Sequence, residues 1–87
     1  MRVHFTGNGC EDFLLWREDI ETFAKIVALI EEIRRTPSTG TGKPEPLKGP
    51  LSGWWSRRVT REHRLVYAVE GKGSERRVTI AACRAHY

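Results

Sequence analysis

The side chains best suited to chemistry are concentrated in residues 42–69, GKPEPLKGPLSGWWSRRVTREHRLVYAV. The segment begins with a carboxylate, Glu45, between two prolines, and basic and aromatic residues follow it. Cleavage of a phosphodiester would use a base, several cations and aromatic faces. RNA carries its own nucleophile, the 2′-OH beside each phosphate, so the reaction can proceed without a metal. This composition predicts an RNA-cleaving site.

Glu45 is the carboxylate that we expect to act as the base. Pro44 has a fixed φ, and Pro46 favours an extended backbone at the residue before it, so Glu45 lies on a stiffened loop. The other carboxylates of the second half flank turns, which favours solvated surface roles; they are Glu62, Glu70 and Glu75. The alternative for Glu45 is an exposed loop charge with no catalytic role.

The acid is expected to be a histidine, because an imidazole titrates near neutral pH. The chain has three histidines, His4, His63 and His86. His4 belongs to an N-terminal strand far along the chain from the basic residues. The alternation of His63 with Leu65 favours a structural role for His63. His86 follows the last basic strand, from where it can reach a groove, and the alternative for it is a disordered tail.

Three cations are expected to bind phosphate oxygens: Lys48, Arg58 and Arg64. Alternation along a strand places Arg64 on the face opposite Leu65, and it places Arg57 and Arg58 on opposite faces. If Leu65 packs against helices, Arg64 faces the open side. A guanidinium binds phosphate through two parallel hydrogen bonds, so arginine suits this work better than lysine.

Aromatic residues near this segment offer surfaces for unpaired bases. Tyr87 and one of Trp54 and Trp55 are the candidates, because stacking on an aromatic ring tolerates any base. Core packing is the alternative for each of them. The sequence contains no P-loop, no GxSxG, no HExxH and no dinucleotide-binding fingerprint, so no motif points to a different chemistry.

Charge is unevenly distributed along the chain. The net charge is +4, but residues 1–36 carry five Lys/Arg and seven Asp/Glu, whereas residues 37–87 carry ten and four. A basic half of this kind suits a polyanion such as RNA. A chain of 87 residues is expected to form a single domain, 1–87, with a small core, so a homodimer or a stabilising partner is plausible.

The sequence also bears on compartment and metal content. It has no apolar run near the roughly 20 residues that span a bilayer, and its N-terminus lacks the apolar region of a signal peptide. A cytoplasmic protein is therefore expected. Cys10 and Cys83 are too few for a disulfide framework and are expected to be free thiols, with Cys83 in the core. Cys83 and His86 supply two ligands, too few for a zinc site, and no cofactor is expected.

Hydrophobic periodicity predicts the element order β-α-α-β-β-β and an α+β fold. One helix begins at Asn8, with Glu11 at capping-box spacing, and a second runs from an N-cap at Asp19 to Arg35. Residues 36–53 form a loop with a short extended piece. The predicted strands cover residues 2–6, 54–60, 62–70 and 76–84. We expect the two N-terminal helices to pack on one face of a twisted antiparallel sheet.

Both predicted helices have apolar faces at helical spacing. The first face comprises Phe13, Trp16 and Ile20. The second comprises Phe23, Ile26, Val27, Ile30 and Ile33. Pro37 ends the second helix, because proline lacks the backbone N–H that a helix interior requires.

Three blocks of the sequence, in order, resemble the YoeB-type mRNA interferase toxins (the Txe/YoeB family) of the RelE superfamily. They are KPEPLK at residues 43–48, LSGWWSRRVTREHRLVYAV at 51–69 and IAACRAHY at 80–87. The helical half, with EDFLLW at 11–16 and RRTP at 34–37, fits as well. The resemblance covers essentially the whole chain.

The resemblance implies a microbial-ribonuclease-like α/β fold and the function of a toxin in a type II toxin–antitoxin system. Members of the family bind the ribosome, cut mRNA in the A site, form homodimers and are neutralised by a cognate antitoxin. By motif match, the family's general base falls on Glu45, its phosphate-stabilising arginine on Arg64 and its general acid on His86. The supporting positions fall on Lys48, Arg58 and Tyr87.

The sequence departs from the family pattern at Gly9-Cys10, at Ala85 and in the Gly71–Ser74 hairpin loop, which is longer than usual. Gly9-Cys10 replaces a common Ala-Trp pair, which is expected to loosen the packing of the first helix. Ala85 replaces a common aromatic residue, which is expected to alter base stacking beside His86. The alternative functions are a non-catalytic RNA-binding module, an antitoxin-dependent transcriptional co-repressor and a pure protein-interaction domain. The first two would use the same basic residues.

Overall fold

The computed structural model describes residues 1–86 as two helices packed on one face of a five-stranded sheet. Helix α1 covers Gly7–Leu15 and helix α2 covers Ile20–Arg35. The strands are β1 (Arg2–Phe5), β2 (Glu45–Pro46), β3 (Trp55–Arg58), β4 (Arg64–Glu70) and β5 (Arg77–Ala85). Their order in the sheet is β1-β5-β4-β3-β2. The predicted α+β class is confirmed, and the short extended piece of the long loop forms β2.

The sheet is mixed, which corrects the prediction of an antiparallel sheet. β1 pairs with β5 in parallel, from Arg2 opposite Arg77 to Phe5 opposite Ile80. The other neighbouring strands pair antiparallel. A parallel pair needs a long crossover connection, and α1 and α2 lie in the connection that leaves β1. β5, the last of the described strands, is therefore interior to the sheet.

Helix α2 begins and ends where the sequence predicts. The Asp19 carboxylate accepts a hydrogen bond from the Thr22 N–H at 3.1 Å, as an N-cap residue does. Thr36 is the C-cap, and Pro37 follows it. Among the helices of residues 1–86, none is long and apolar enough to cross a membrane.

The buried face of α2 differs from the predicted one. It comprises Ile26, Leu29, Ile30 and Ile33. Val27, which the prediction included, is 40% exposed because the buried stripe runs through Leu29 instead. Ile20, predicted to share the face of Phe13 and Trp16, is 74% exposed. A three-residue 3-10 turn, Trp16–Glu18, separates the two helices, so Ile20 is out of phase with α1.

Helix α1 begins earlier than the predicted N-cap at Asn8. Thr6 is the N-cap, and its Oγ1 accepts the Gly9 N–H at 3.0 Å. The Asn8 side chain donates instead to the Ala81 carbonyl oxygen at 3.0 Å, so it is committed to β5. A tertiary hydrogen bond therefore overrides the capping-box spacing.

Gly9 brings α1 directly against β5. It is the buried residue of α1, and a Cβ at this position would collide with the carbonyl group of Ile80. A larger residue would push the helix away from the strand. Glycine therefore tightens the packing of α1 here, contrary to the expectation that Gly9-Cys10 loosens it.

The core fills the space between the helices and the covered face of the sheet. Its fully buried members come from α2, β4, β5 and the β3–β4 turn, and they include Ile26, Ile33, Val59, Leu65, Tyr67, Val78, Ile80 and Cys83. Cys83 is fully buried, as predicted, and burial raises the pKa of its thiol to about 12. Cys10 is an exposed free thiol.

Candidate active site

Cross-strand register defines two adjacent rows of residues on the helix-free face, the face of the sheet opposite α1 and α2. Leu65 and Tyr67 are buried in the core, so alternation turns Arg64 and Val66 to the helix-free face. Residues directly opposite one another on neighbouring strands share a face. The first row is Glu45, Ser56, Val66 and Ala82, and the second is Arg58, Arg64 and Ala85.

Arg58 and Arg64 are direct cross-strand neighbours. Arg58 is exposed and Arg64 is half-buried. Nη1 of Arg64 donates to the carbonyl oxygens of Thr60 and His63, both at 3.3 Å, which holds the guanidinium against the β3–β4 turn. The ion pairs formed within residues 1–86 involve other arginines, namely Arg34, Arg57 and Arg77. Like charges opposite each other repel, so an anion bound at this pair would be stabilising.

Glu45 lies at the outer edge of the sheet in the two-residue strand β2. Its side chain is exposed, and the residue is directly opposite Ser56. Two strand spacings, about 10 Å, separate β2 from the strand that carries Arg64. Lys48 is also exposed, in the loop that follows β2. A ligand on the helix-free face can therefore reach both side chains from solvent.

The end of β5 places His86, and α1 with its following turn holds that end. The backbone N–H groups of Cys83 and Arg84 donate to Oδ2 of Asp12 at 2.9 and 3.2 Å. Nε1 of Trp16 donates to the Cys83 carbonyl oxygen at 3.0 Å. These side chains bind the β5 backbone beyond its pairing with β1. The residue that follows β5, His86, therefore emerges from an anchored strand.

His86 contacts His63. The two ring centroids are 4.8 Å apart, with an interplanar angle of 63°. The His63 ring lies edge-on to Trp16, at 5.0 Å and 85°, and its Nδ1 is 3.0 Å from Thr60 Oγ1. His63 is thus held from two sides and supports the exposed imidazole of His86. Sequence alternation indicated a structural role for His63 but gave no sign of this contact.

The sheet order places Arg64 between Glu45 and His86. Glu45 belongs to β2, Arg64 to β4, and His86 follows β5. Three strand spacings, about 14 Å, separate β2 from β5. A substrate strand, and not a direct contact, must therefore connect the two side chains. Glu45 and Arg64 share the helix-free face by register, whereas the His86 ring lies against His63, and the catalytic roles of all three remain predictions.

Of the predicted stacking residues, the structure separates the two tryptophans. Trp55 packs against the core, whereas Trp54 is half-buried and directly precedes β3. Tyr87 lies outside the described residues. Within residues 1–86, no group of three His, Cys, Asp or Glu side chains could hold a metal ion.

A surface hollow of about 670 Å³ lies elsewhere, along α1. It is lined by Glu11, Asp12, Leu14, Leu15, Arg17 and Glu18. Three of these six side chains are carboxylates, opposed by a single arginine, so the hollow would repel a polyanion. We therefore place the candidate active site on the helix-free face.

Sequence reasoning missed the role of Arg57. Its side chain is fully buried, and the guanidinium makes five hydrogen bonds of 2.6–3.2 Å. The acceptors are the Tyr67 hydroxyl, the Glu32 carboxylate and the carbonyl oxygens of Thr36, Thr39 and Thr41. The available signal was the alternation that put Arg57 on the core face, since a buried guanidinium needs a full set of acceptors.

The Arg57 network is completed by two of its own acceptors. The Tyr67 hydroxyl donates to the Pro37 carbonyl oxygen at 2.6 Å, and Oε1 of Glu32 accepts the Thr41 N–H at 2.5 Å. Burial raises the pKa of Tyr67, which keeps the phenol a neutral donor. The network therefore ties α2 and the loop after it to β3 and β4.

Acid is expected to weaken this network through Glu32. The hydrogen bond from the Thr41 N–H, and after it Arg57, hold the pKa of Glu32 below its ordinary value of 4.5. A carboxylate whose pKa is lower in the folded state than in the unfolded state stabilises the folded protein. This contribution is complete at pH values above the unfolded-state pKa, and it is lost as the pH falls through the folded-state pKa. Between about pH 6 and about pH 3, the urea midpoint of Glu32→Gln should therefore fall less than that of the wild type.

Glu31→Gln is the matched control for this acid experiment. Glu31 is the preceding residue on α2, and its ion pair with Arg34 is exposed to solvent. On the same change of pH, the urea midpoint of Glu31→Gln should fall as far as that of the wild type. An equal fall in Glu32→Gln would contradict the role given to Glu32.

The comparisons with known proteins identify the family and support the fold. Residues 5–87 match the family described as "YoeB-like toxin of bacterial type II toxin-antitoxin system". Toxin YoeB of Escherichia coli (strain K12) is 51% identical over 88 residues, which cover 100% of both chains. The solved structure of a YoeB/ParE toxin from Agrobacterium tumefaciens is 45% identical, covers 100% of both chains and has a TM-score of 0.94.

YoeB of Staphylococcus aureus has been solved both as a dimer and in a heterotetrameric YoeB–YefM toxin–antitoxin complex. Both structures are 37% identical to this chain, cover 100% of it and 98% of their own, and have TM-scores of 0.88 and 0.86. These likenesses define the class as a toxin of a bacterial toxin–antitoxin system. Within that class, the chain belongs to the YoeB-like toxin family, which confirms the resemblance drawn from the sequence.

Proposed function

We propose that the protein is a ribosome-dependent endoribonuclease that cuts mRNA in the A site and so inhibits translation. The observation that carries the proposal is the Arg58–Arg64 pair on the helix-free face. Its two strands lie between β2, which carries Glu45, and β5, which His86 follows. Two opposed guanidinium groups favour a bound phosphate, and the flanking groups are of the types that move protons in phosphodiester cleavage.

In the proposed reaction, Glu45 takes the proton of a 2′-OH, and the 2′ oxygen attacks the neighbouring phosphorus. Arg64 and Arg58 stabilise the charge that builds on the phosphate oxygens, with Lys48 in support. The bond to the 5′ oxygen breaks as His86 donates a proton to that leaving oxygen. The products are a 2′,3′-cyclic phosphate and a 5′-hydroxyl end, and no step requires a metal.

Base stacking and the ribosome would position the substrate. Trp54 and Tyr87 are the aromatic residues proposed to stack on unpaired bases. An edge carboxylate and an imidazole three strands apart cannot by themselves set the conformation of a flexible strand. A ribosome that holds the mRNA in one conformation supplies this positioning, which is a large part of the rate.

The proposed partners follow from the Staphylococcus aureus relative, which forms a dimer and binds the antitoxin YefM. We infer that this chain likewise forms a homodimer and is neutralised by a cognate antitoxin protein. Its substrate, translated mRNA, places its action in the cytoplasm.

Expression of the chain without antitoxin tests the proposal. The wild type is expected to arrest growth, and sequencing of RNA ends should map cuts with 5′-hydroxyl termini to translated codons. Glu45→Gln should relieve the arrest and remove the cuts, because an amide cannot accept the 2′ proton. Glu62→Gln is the matched control, since Glu62 is an exposed carboxylate of the same basic half, and it should arrest growth as the wild type does.

Two outcomes would overturn the proposal. One is normal growth on strong expression of folded wild-type protein. The other is growth arrest that persists in Glu45→Gln without RNA cuts, which is the result that a non-catalytic RNA-binding module predicts.

A further inference from the structure

We propose that Glu32 and Arg57 are positioning residues for Glu45. Their hydrogen bonds fix residues 36–42, the segment of the long loop through which the chain reaches β2. The inference rests on the proposed function, because it concerns the residue proposed there as the general base. Neither residue would touch the substrate, since Arg57 is fully buried and Glu32 points into the same network.

Residues 36–44 contain neither helix nor strand, so their position depends on contacts with the rest of the molecule. Arg57 supplies three of these contacts, to the carbonyl oxygens of Thr36, Thr39 and Thr41. Glu32 holds the Thr41 N–H. A loop of this length would otherwise be free to sample many conformations.

Only two residues, Lys43 and Pro44, separate this anchored segment from Glu45. The Arg58 N–H donates to the Gly42 carbonyl oxygen at 2.7 Å, directly after the Arg57 network. Gly42 has φ of +85°, and a Cβ there would lie 3.0 Å from the Arg58 carbonyl oxygen, so only glycine fits. Lys43 follows with φ of 52°, an uncommon value for a residue with a side chain. Two residues later the chain reaches Glu45.

β2 cannot fix Glu45 unaided, because it has two residues and lies at the edge of the sheet. The backbone that enters β2 therefore determines where the carboxylate points. A general base displaced by about 1 Å from the 2′-OH can lose about 100-fold in rate. Arg57 and Glu32 therefore contribute to the reaction by positioning Glu45, although neither lies on the helix-free face.

The test is a double-mutant cycle measured as single-turnover cleavage of mRNA on programmed ribosomes. Glu32→Ala should lower the maximal rate about 10- to 100-fold while the half-saturating toxin concentration changes by less than about threefold. In a Glu45→Ala background the same substitution should change the rate by less than about twofold, because there is no base left to misplace. Glu31→Ala, at the adjacent exposed position, should leave the rate unchanged in both backgrounds.

Two further measurements separate positioning from general stabilisation. Glu32→Gln retains an acceptor for the Thr41 N–H and should restore most of the rate. Amide hydrogen exchange at Thr41 and Arg58 should be at least about tenfold faster in Glu32→Ala than in Glu31→Ala, with core amides of β4 unchanged.

Equal rate losses for Glu32→Ala with and without Glu45 would overturn the inference, and so would an unchanged rate or unchanged exchange at Thr41. A Glu45→Ala variant that cleaves as well as the wild type would instead overturn the proposed function. In that case the exchange experiment still decides whether Glu32 fixes the loop.

Discussion

Replacement of His86 by alanine is expected to lower the rate of mRNA cleavage by about 10²–10⁴-fold, the usual contribution of a general acid. The leaving 5′ oxygen would then depart without a proton. The strands that carry the Arg58–Arg64 pair lie between β2, which carries Glu45, and β5, which His86 follows, so the proposed reaction places the leaving group on the His86 side. The measurement is single-turnover cleavage on programmed ribosomes across a range of pH.

The shape of the pH–rate profile distinguishes an acid from a mere contact. In the wild type, the rate should fall at alkaline pH as the acid loses its proton, and this limb should be absent in His86→Ala. His4→Ala is the matched control, because His4 is an exposed histidine on β1 at the other edge of the sheet. An alkaline limb that persists in His86→Ala would assign the proton donation to another group.

Replacement of Arg57 by methionine is expected to destabilise the protein by about 3–5 kcal/mol, because a fully buried guanidinium and its five hydrogen bonds are removed. The Tyr67 hydroxyl and three loop carbonyl oxygens would lose a donor, and Glu32 would lose its cation. A methionine side chain fills most of the volume, so the loss is polar and not a cavity effect. Urea unfolding followed by tryptophan fluorescence measures it.

Arg58→Met makes the comparison sharp, because it is the same substitution one residue along the same strand. Arg58 is exposed on the helix-free face, and its replacement should change the free energy of unfolding by no more than about 0.5 kcal/mol. Similar free energies of unfolding for the two variants would show that the buried network contributes little. If Arg57→Met is already unfolded in buffer, the result would agree with the large destabilisation expected for this variant.

Local rules were enough to predict the surface that carries the candidate site. The parity of Arg58 and Arg64, opposite to that of Arg57 and Leu65, follows from strand alternation, and the register agrees with it. The start of α2 was equally predictable, because the Asp19 carboxylate caps the helix by accepting the N–H of Thr22, three residues later in the sequence. Features that depend on adjacent residues were therefore predicted.

Features set by distant residues were not predicted. Asn8 has the spacing of a capping box, but Ala81, 73 residues away in sequence, engages its side chain. The parallel pairing of β1 with β5 has no local signature, so the sheet was expected to be antiparallel. Arg57 finds its anion on α2, 25 residues earlier, and no periodicity connects the two. The contact between His63 and His86 likewise exists only once β4 and β5 are paired.

The position of β5 bears on how the protein is made. This strand is synthesised after every other described element, yet it lies between β1 and β4. Until it leaves the exit tunnel, the first helix lacks the strand to which Asn8 and Asp12 anchor it, and the imidazole that would complete the site is missing. Joining such remote parts of a chain is slow compared with forming local structure. The nascent polypeptide is therefore expected to remain harmless to the ribosome that is producing it.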